Sequence, residues 1–62
     1  MEKIKLFYKD ADGKSTHLIA EGEDVEAASK NAVKEYQVLR EIYGEDNLPI
    51  TNITRMDKVV DK

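Results

Sequence analysis

The chain contains 62 residues, and its 13 acidic residues against 10 Lys and Arg give a formal net charge of −3. Residues 1–62 are predicted to form a single domain, and the acidic balance argues against a general nucleic-acid-binding protein, which normally has a basic excess. The absence of cysteine excludes disulfides, thiolate metal sites and cysteine nucleophiles. The longest uncharged run, 48–54, has seven residues and contains Pro49 and Asn52, so neither a transmembrane helix nor a signal peptide is expected. We therefore expect a soluble cytoplasmic protein.

The first third of the chain predicts a β-hairpin. Residues 4–9 alternate between apolar and polar side chains, and residues 14–20 follow as a return strand after the turn sequence Asp10-Ala11-Asp12-Gly13. Pairing Asp10 with Lys14 gives a register in which the core face carries Ile4 opposite Ala20, Leu6 opposite Leu18, and Tyr8 opposite Thr16. The other face of the hairpin then carries Lys5, Phe7, Lys9, His17 and Ile19, and is half apolar.

A long helix is predicted from Asp24, as its N-cap, to Gly44, which ends it. An apolar stripe with helical spacing, expected to face the core, contains Val25, Ala28, Ala32, Tyr36, Leu39 and Tyr43. Val38 and Ile42 lie outside this stripe, together on one flank. Residues 50–60 are rich in β-branched side chains without strict alternation, which predicts a third strand with a bulge or a late start after Pro49.

The element order ββαβ predicts an α+β fold. Because each element reverses direction, the third strand runs antiparallel to the first and pairs with it on the side away from the second. We therefore predict a three-stranded antiparallel sheet with strand order 2-1-3 and one α-helix packed on one face.

No arrangement of side chains in the sequence indicates catalysis. Asp10, Asp12 and Glu21 match positions of an EF-hand calcium loop, but the sixth position of that loop requires glycine and is Ser15 here. His17 is the single histidine, and one imidazole does not make a zinc site. A strand histidine beside Phe7 is the simpler interpretation. We predict a non-enzyme without catalytic residues, metal or cofactor.

Two groups of surface residues indicate protein binding instead. An acidic cluster precedes and begins the helix: Glu21, Glu23, Asp24 and Glu26. These acids either cap and solubilise the helix, or form an acidic surface that docks in a DNA-binding cleft. Apolar residues outside the predicted core form the second group, which we predict as an oligomer interface: Phe7, Ile19, Val38 and Ile42. Two apolar clusters on so short a chain favour a protein–protein surface, and a twofold dimer is one arrangement of it.

Three segments, in order along the chain, resemble a known family. They are Asp10-Ala11-Asp12-Gly13-Lys14 after an apolar strand, Tyr36-Gln37-Val38-Leu39 with Tyr43-Gly44 after it, and the closing Arg55-Met56-Asp57-Lys58-Val59-Val60. The chain is similar in these segments to the small uracil-DNA glycosylase inhibitors of phi29-like bacteriophages. It departs from the family pattern in a longer start of the helix and in residues 40–42, which separate Leu39 from Tyr43.

The resemblance implies a homodimer that occupies the DNA-binding cleft of a host uracil-DNA glycosylase and competes with DNA. Helices of two subunits would form an apolar pocket for a protruding apolar side chain of the enzyme. Tyr36 matches the family aromatic, Gln37 replaces an adjacent acid, and Tyr43 matches the later tyrosine. Both tyrosines also lie on the apolar stripe, so packing in the core is the alternative. The predicted partner-binding residues are Glu21, Glu23, Asp24, Glu26, Tyr36, Gln37, Val38, Ile42 and Tyr43.

Two other functions remain open from the sequence. A small accessory protein could bind nucleic acid through five basic residues, namely Lys5, Lys9, Lys14, Arg55 and Lys58, or could bind another protein without inhibiting it. A purely oligomeric domain without an enzyme target is the third possibility.

Overall fold

The computed structural model describes residues 1–60 and contains three strands, one long helix and one 3-10 turn. The elements are β1 (Glu2–Lys9), β2 (Ser15–Gly22), α1 (Val25–Tyr43), the 3-10 turn (Ile50–Asn52) and β3 (Ile53–Val59). The strands form an antiparallel sheet in the order β2-β1-β3, and α1 packs on one face against β1 and β2. The predicted α+β fold and strand order are confirmed. No helix among the described residues is long and apolar enough to cross a membrane.

The hairpin has the predicted register, with Ile4 opposite Ala20 and Leu6 opposite Leu18. Its turn is held by one side chain, because the Asp10 carboxylate accepts hydrogen bonds from the backbone N–H groups of Asp12 and Lys14, both at 2.9 Å. Gly13 has a φ of 81°, a left-handed conformation that glycine adopts without a steric penalty. The turn therefore arises from local sequence chemistry alone.

Both ends of α1 are also fixed locally. The Asp24 carboxylate accepts a 2.8 Å hydrogen bond from the Ala27 N–H, the usual interaction of an N-cap. At the other end Gly44 has a φ of 99°, and its N–H donates to the Arg40 carbonyl at 2.8 Å. The predicted start and end of the helix are confirmed.

Tyr36 lies at the centre of a small core. Its ring packs edge-on against that of Tyr8, with 5.1 Å between centroids, and its hydroxyl donates a 2.8 Å hydrogen bond to the Pro49 carbonyl. The buried hydrophobic residues are Ile4, Leu6, Ala20, Ala28, Ala32, Tyr36 and Leu48. Leu48 was not predicted as a core residue; it lies in the loop after α1, where its own N–H donates to the Gly44 carbonyl.

The apolar stripe of α1 is buried only in its middle. Val25 and Tyr43 are exposed, so their assignment to the core is wrong. Gly22 is the last residue of β2 and lies against the backbone of Ala28. Val25, almost one helical turn earlier, is therefore beyond the end of that strand. Tyr43 lies two helical turns, about 10 Å, past Tyr36 and so beyond the end of β1. The helix overhangs the sheet at both ends.

The sequence predicts a bulge or a late start in the third strand, and the structure has both. The strand begins late, at Ile53 after the 3-10 turn, and its pairing with β1 shifts register between Phe7 and Tyr8. Thr54 is the extra residue at this bulge, and its hydroxyl donates a 3.2 Å hydrogen bond to the Phe7 carbonyl.

Candidate interaction surfaces

The sheet face away from α1, here called the open face, is built around Phe7. Its cross-strand neighbours are His17 on β2 and Arg55 on β3. The Arg55 guanidinium lies 4.8 Å from the centroid of the Phe7 ring, the Lys5 ammonium 5.7 Å and the His17 ring 6.0 Å. Arg55 is also held by Asp57 at 2.9 Å. Phe7 is therefore partly accessible between polar neighbours, and its role as an oligomer contact stays a prediction.

Val38 and Ile42 form an exposed apolar flank of α1, called the helix flank below. They are 51% and 67% exposed. Asn31 lies on the same side of the helix, two turns before Val38, and its amide donates a 2.7 Å hydrogen bond to the carbonyl of Glu21 on β2. The helix flank therefore points toward the outer edge of β2.

The two outer edges of the sheet differ in charge. Between Ser15 and Ala20, β2 carries no Asp, Glu, Lys or Arg. On the opposite edge, β3 has Arg55, Asp57 and Lys58 as well as the bulge. Charges and bulges are the usual means of keeping an edge strand from pairing with another chain. The β3 edge has this protection along its length, whereas the one acid of β2, Glu21, lies at the end of that strand. Ile19, which is half exposed, lies on the open face of the unprotected strand.

The structure separates the helix residues that the sequence predicts to bind a partner. Tyr36 is fully buried, so it packs in the core and cannot contact a partner directly. Gln37 is exposed but lies on a different side of α1 from Ile42, because five residues correspond to a rotation of about 140°. Tyr43 is exposed and lies at the hairpin turn. Val38 and Ile42 alone stand together on one exposed flank.

The acidic cluster lies at the end of the molecule where β2 leads into α1. All four of its members are exposed: Glu21, Glu23, Asp24 and Glu26. Asp24 caps the helix, and Glu26 forms a 3.5 Å ion pair with Lys30 one turn later. From Glu26 to Ile42 the helix rises about 24 Å and turns by about 160°, so this cluster and the helix flank lie at opposite ends of α1 and on different sides of it.

The basic residues do not form one surface. Lys5, Lys9 and Arg55 lie on the open face of the sheet. Lys58 pairs with Ile4 and so lies on the helix side, where its ammonium forms a 3.2 Å ion pair with Glu2. Lys14 is exposed next to the hairpin turn. Three of the five predicted nucleic-acid contacts are therefore brought together.

A concavity that the sequence does not predict lies where the last turn of α1 overhangs the hairpin turn. It encloses about 310 Å³ and is lined by Tyr8, Asp10, Ala11, Asp12, Thr16, Tyr43 and Leu48. We call it the tyrosine–aspartate notch. Burial raises the pKa of the Tyr8 hydroxyl, and the neighbouring Tyr43 and Asp10 raise it further. The overhang that forms the notch is a tertiary feature, so no local sequence signal marks it.

The described part of the chain contains no group of three His, Asp or Glu side chains that could hold a metal ion. The Asp10 carboxylate, which the calcium-loop pattern would use as a ligand, is occupied by two backbone N–H groups of the turn. Comparisons of the chain with protein-family models, curated proteins and solved structures give no match.

Proposed function

We propose that this chain is a small protein-binding inhibitor that acts on a host enzyme working on DNA, in the cytoplasm of a bacterial host. The observation that supports this function is the exposed helix flank of Val38 and Ile42 beside the uncharged edge of β2. Exposed apolar side chains lie here beside an unpaired strand edge. Such a combination favours binding of another polypeptide, which would cover both.

A second copy of the chain is the first occupant that we propose for this region. Antiparallel pairing of two β2 edges about a twofold axis would place both helices on the same side of a continuous sheet. The helix flanks of the two copies would then face each other and form a shared apolar groove. Such a groove could receive an apolar side chain of the target enzyme, as the resemblance to the phage inhibitors implies.

The charge of the chain favours a basic target surface. A net charge of −3 per chain and four exposed acids at one end would raise the rate of encounter with the basic DNA-binding cleft of an enzyme. Apolar contacts at the groove would then determine the rate of dissociation. Uracil-DNA glycosylase is the named candidate because the three segments of the chain resemble its inhibitors.

Inhibition is tested by adding the chain to a bacterial uracil-DNA glycosylase acting on uracil-containing DNA. We expect inhibition that declines as the DNA concentration rises, since both ligands would occupy one cleft. Ile42→Glu should abolish inhibition, whereas Met56→Glu, the same change at an exposed residue of β3, should leave it intact. Full enzyme activity at a large molar excess of the unaltered chain would exclude this target.

The open face of the sheet supports a second candidate function, which is direct binding of single-stranded nucleic acid. Lys5 and Arg55 lie over the ring of Phe7 there, and Lys9 is on the same face; basic residues around an aromatic ring are typical of such surfaces. The electrophoretic mobility of labelled single-stranded DNA and RNA at physiological salt tests it. A shift that Arg55→Gln weakens would favour this function, and no shift would leave protein binding as the function.

A further inference from the structure

We propose that the tyrosine–aspartate notch binds a planar organic cation, the guanidinium of an arginine side chain on a partner protein. This inference rests on the proposed function, since a DNA-binding cleft presents arginine side chains, and it names the chemistry by which part of that partner would be recognised. It concerns a site at the hairpin end of the molecule, separate from the helix flank.

The walls of the notch are held rigidly. On one side the turn is fixed by the two hydrogen bonds that the Asp10 carboxylate accepts. On the other side the end of α1 is fixed by Gly44, and the Asn47 amide donates a 2.7 Å hydrogen bond to the Tyr43 carbonyl. Tyr8 is held from below by the ring of buried Tyr36. A site with fixed walls loses little conformational entropy when it binds a ligand.

The lining of the notch matches a planar cation in charge and shape. It contains two tyrosines and two aspartates and no Lys, Arg or His. A guanidinium stacks on aromatic rings and donates paired hydrogen bonds to a carboxylate, whereas an ammonium does only part of this. Three other concavities among residues 1–60 each include a lysine on their walls, which would repel a cation.

Two polar groups of the notch remain available for a ligand. The Asp12 carboxylate forms no hydrogen bond or ion pair with the residues that the structure describes, although its own N–H is used in the turn. Within the same range the Tyr8 hydroxyl has no hydrogen-bond partner, in contrast to that of Tyr36. Asp12 would accept the guanidinium N–H groups, and the rings of Tyr8 and Tyr43 would cover its faces.

The probe for this proposal is N-acetyl-arginine amide, titrated into the isotopically labelled chain and followed by the amide resonances in NMR. We expect saturable shifts confined to Tyr8, Ala11, Asp12 and Tyr43. N-acetyl-citrulline amide has nearly the same shape without the charge and should cause no saturable shift. N-acetyl-lysine amide should bind at least several-fold more weakly. Equal responses to arginine and citrulline, or to arginine and lysine, would overturn the assignment.

Variants then locate the bound cation. Asp12→Asn removes the free carboxylate but keeps the turn bonds to Asp10, and should weaken arginine binding about tenfold, as expected for a lost charged hydrogen bond. Glu41→Gln makes the same charge change on the exposed outer side of α1 and should have no effect. Equal weakening by both variants would mean that the probe senses only the net charge of the chain.

The titration contains no enzyme, so its result is independent of the inhibition assay. Arginine binding in the notch without inhibition of any glycosylase would support the binding site and exclude the proposed target. If arginine causes no saturable shifts and Asp12→Asn leaves inhibition unchanged, the notch is not an arginine site, and the proposed inhibitory function still stands.

Discussion

At the scale of single residues, Tyr36 links all layers of the molecule. It is fully buried, it contacts Tyr8 on β1, and its hydroxyl binds the Pro49 carbonyl in the loop that leads to β3. Its pKa is raised first by burial, partly offset by Arg40, and raised further by Tyr8. The neutral phenol is thus favoured by the folded state.

Tyr36 predicts an alkaline loss of stability. Because its folded pKa lies above the unfolded value, the unfolded chain binds fewer protons once the pH exceeds about 10, and the free energy of unfolding falls as the pH rises further. Tyr36→Phe should cost about 1 kcal/mol at neutral pH through the lost hydrogen bond. It should also show a shallower fall above pH 10 or so in urea unfolding series. Equal alkaline slopes in the two proteins would contradict this origin of the pH dependence.

Gly22 and Gly13 are required for different reasons, the first for close packing and the second for its backbone conformation. A Cβ at Gly22 would clash with the backbone nitrogen of Ala28, whereas one at Gly13 would meet nothing within 4 Å. Gly22→Ala must therefore push α1 away from β2 and should cost at least about 2 kcal/mol, as overpacking does. Gly13→Ala should cost about 1 kcal/mol, because only the positive φ is unfavourable. Thermal unfolding of both variants would contradict this account if Gly13→Ala were the more damaging.

At the scale of secondary structure, the elements that the sequence predicts correctly are those with local signals. Asp10 and Gly13 determine the turn, and Asp24 and Gly44 delimit the helix. Tyr43 has the periodicity of a core residue, yet it is exposed because helical spacing does not reveal where the sheet beneath ends. The notch and the burial of Leu48 both depend on how far the end of α1 extends past the sheet. Sequence pattern does not reveal this distance, so neither feature is predictable from it.

The N-cap of α1 gives a test that separates the two interpretations of the acidic cluster. Asp24→Ala should lower the free energy of unfolding by about 1 kcal/mol, because the Ala27 N–H loses its acceptor. Glu23→Ala removes a neighbouring exposed charge that forms no hydrogen bond or ion pair with the described residues, and it should change stability by less than about 0.5 kcal/mol. Chemical unfolding measures both. Similar losses would mean that charge near the helix N-terminus, rather than the cap, provides the stabilisation.

At the scale of the whole molecule, the small size of the chain explains why contact with a second copy would increase its stability. Chains of about 60 residues bury only some 60% of their unfolded surface and are marginally stable alone. This one has seven buried hydrophobic residues among those described, and three of the seven are alanines. A second copy on the β2 edge would cover the helix flank and extend the sheet, which would add apolar burial that the single chain lacks.

The proposed dimer predicts a mass of twice 7.1 kDa in light scattering and a thermal midpoint that rises with protein concentration. Val38→Glu combined with Ile42→Glu should yield the single-chain mass, since the twofold axis would bring four carboxylates together in an apolar groove. Met56→Glu, at an exposed apolar residue of the opposite edge strand β3, should remain dimeric. A wild-type chain with the single-chain mass at all concentrations would contradict the dimer, and dissociation of the Met56 variant would assign the interface to β3 instead of β2.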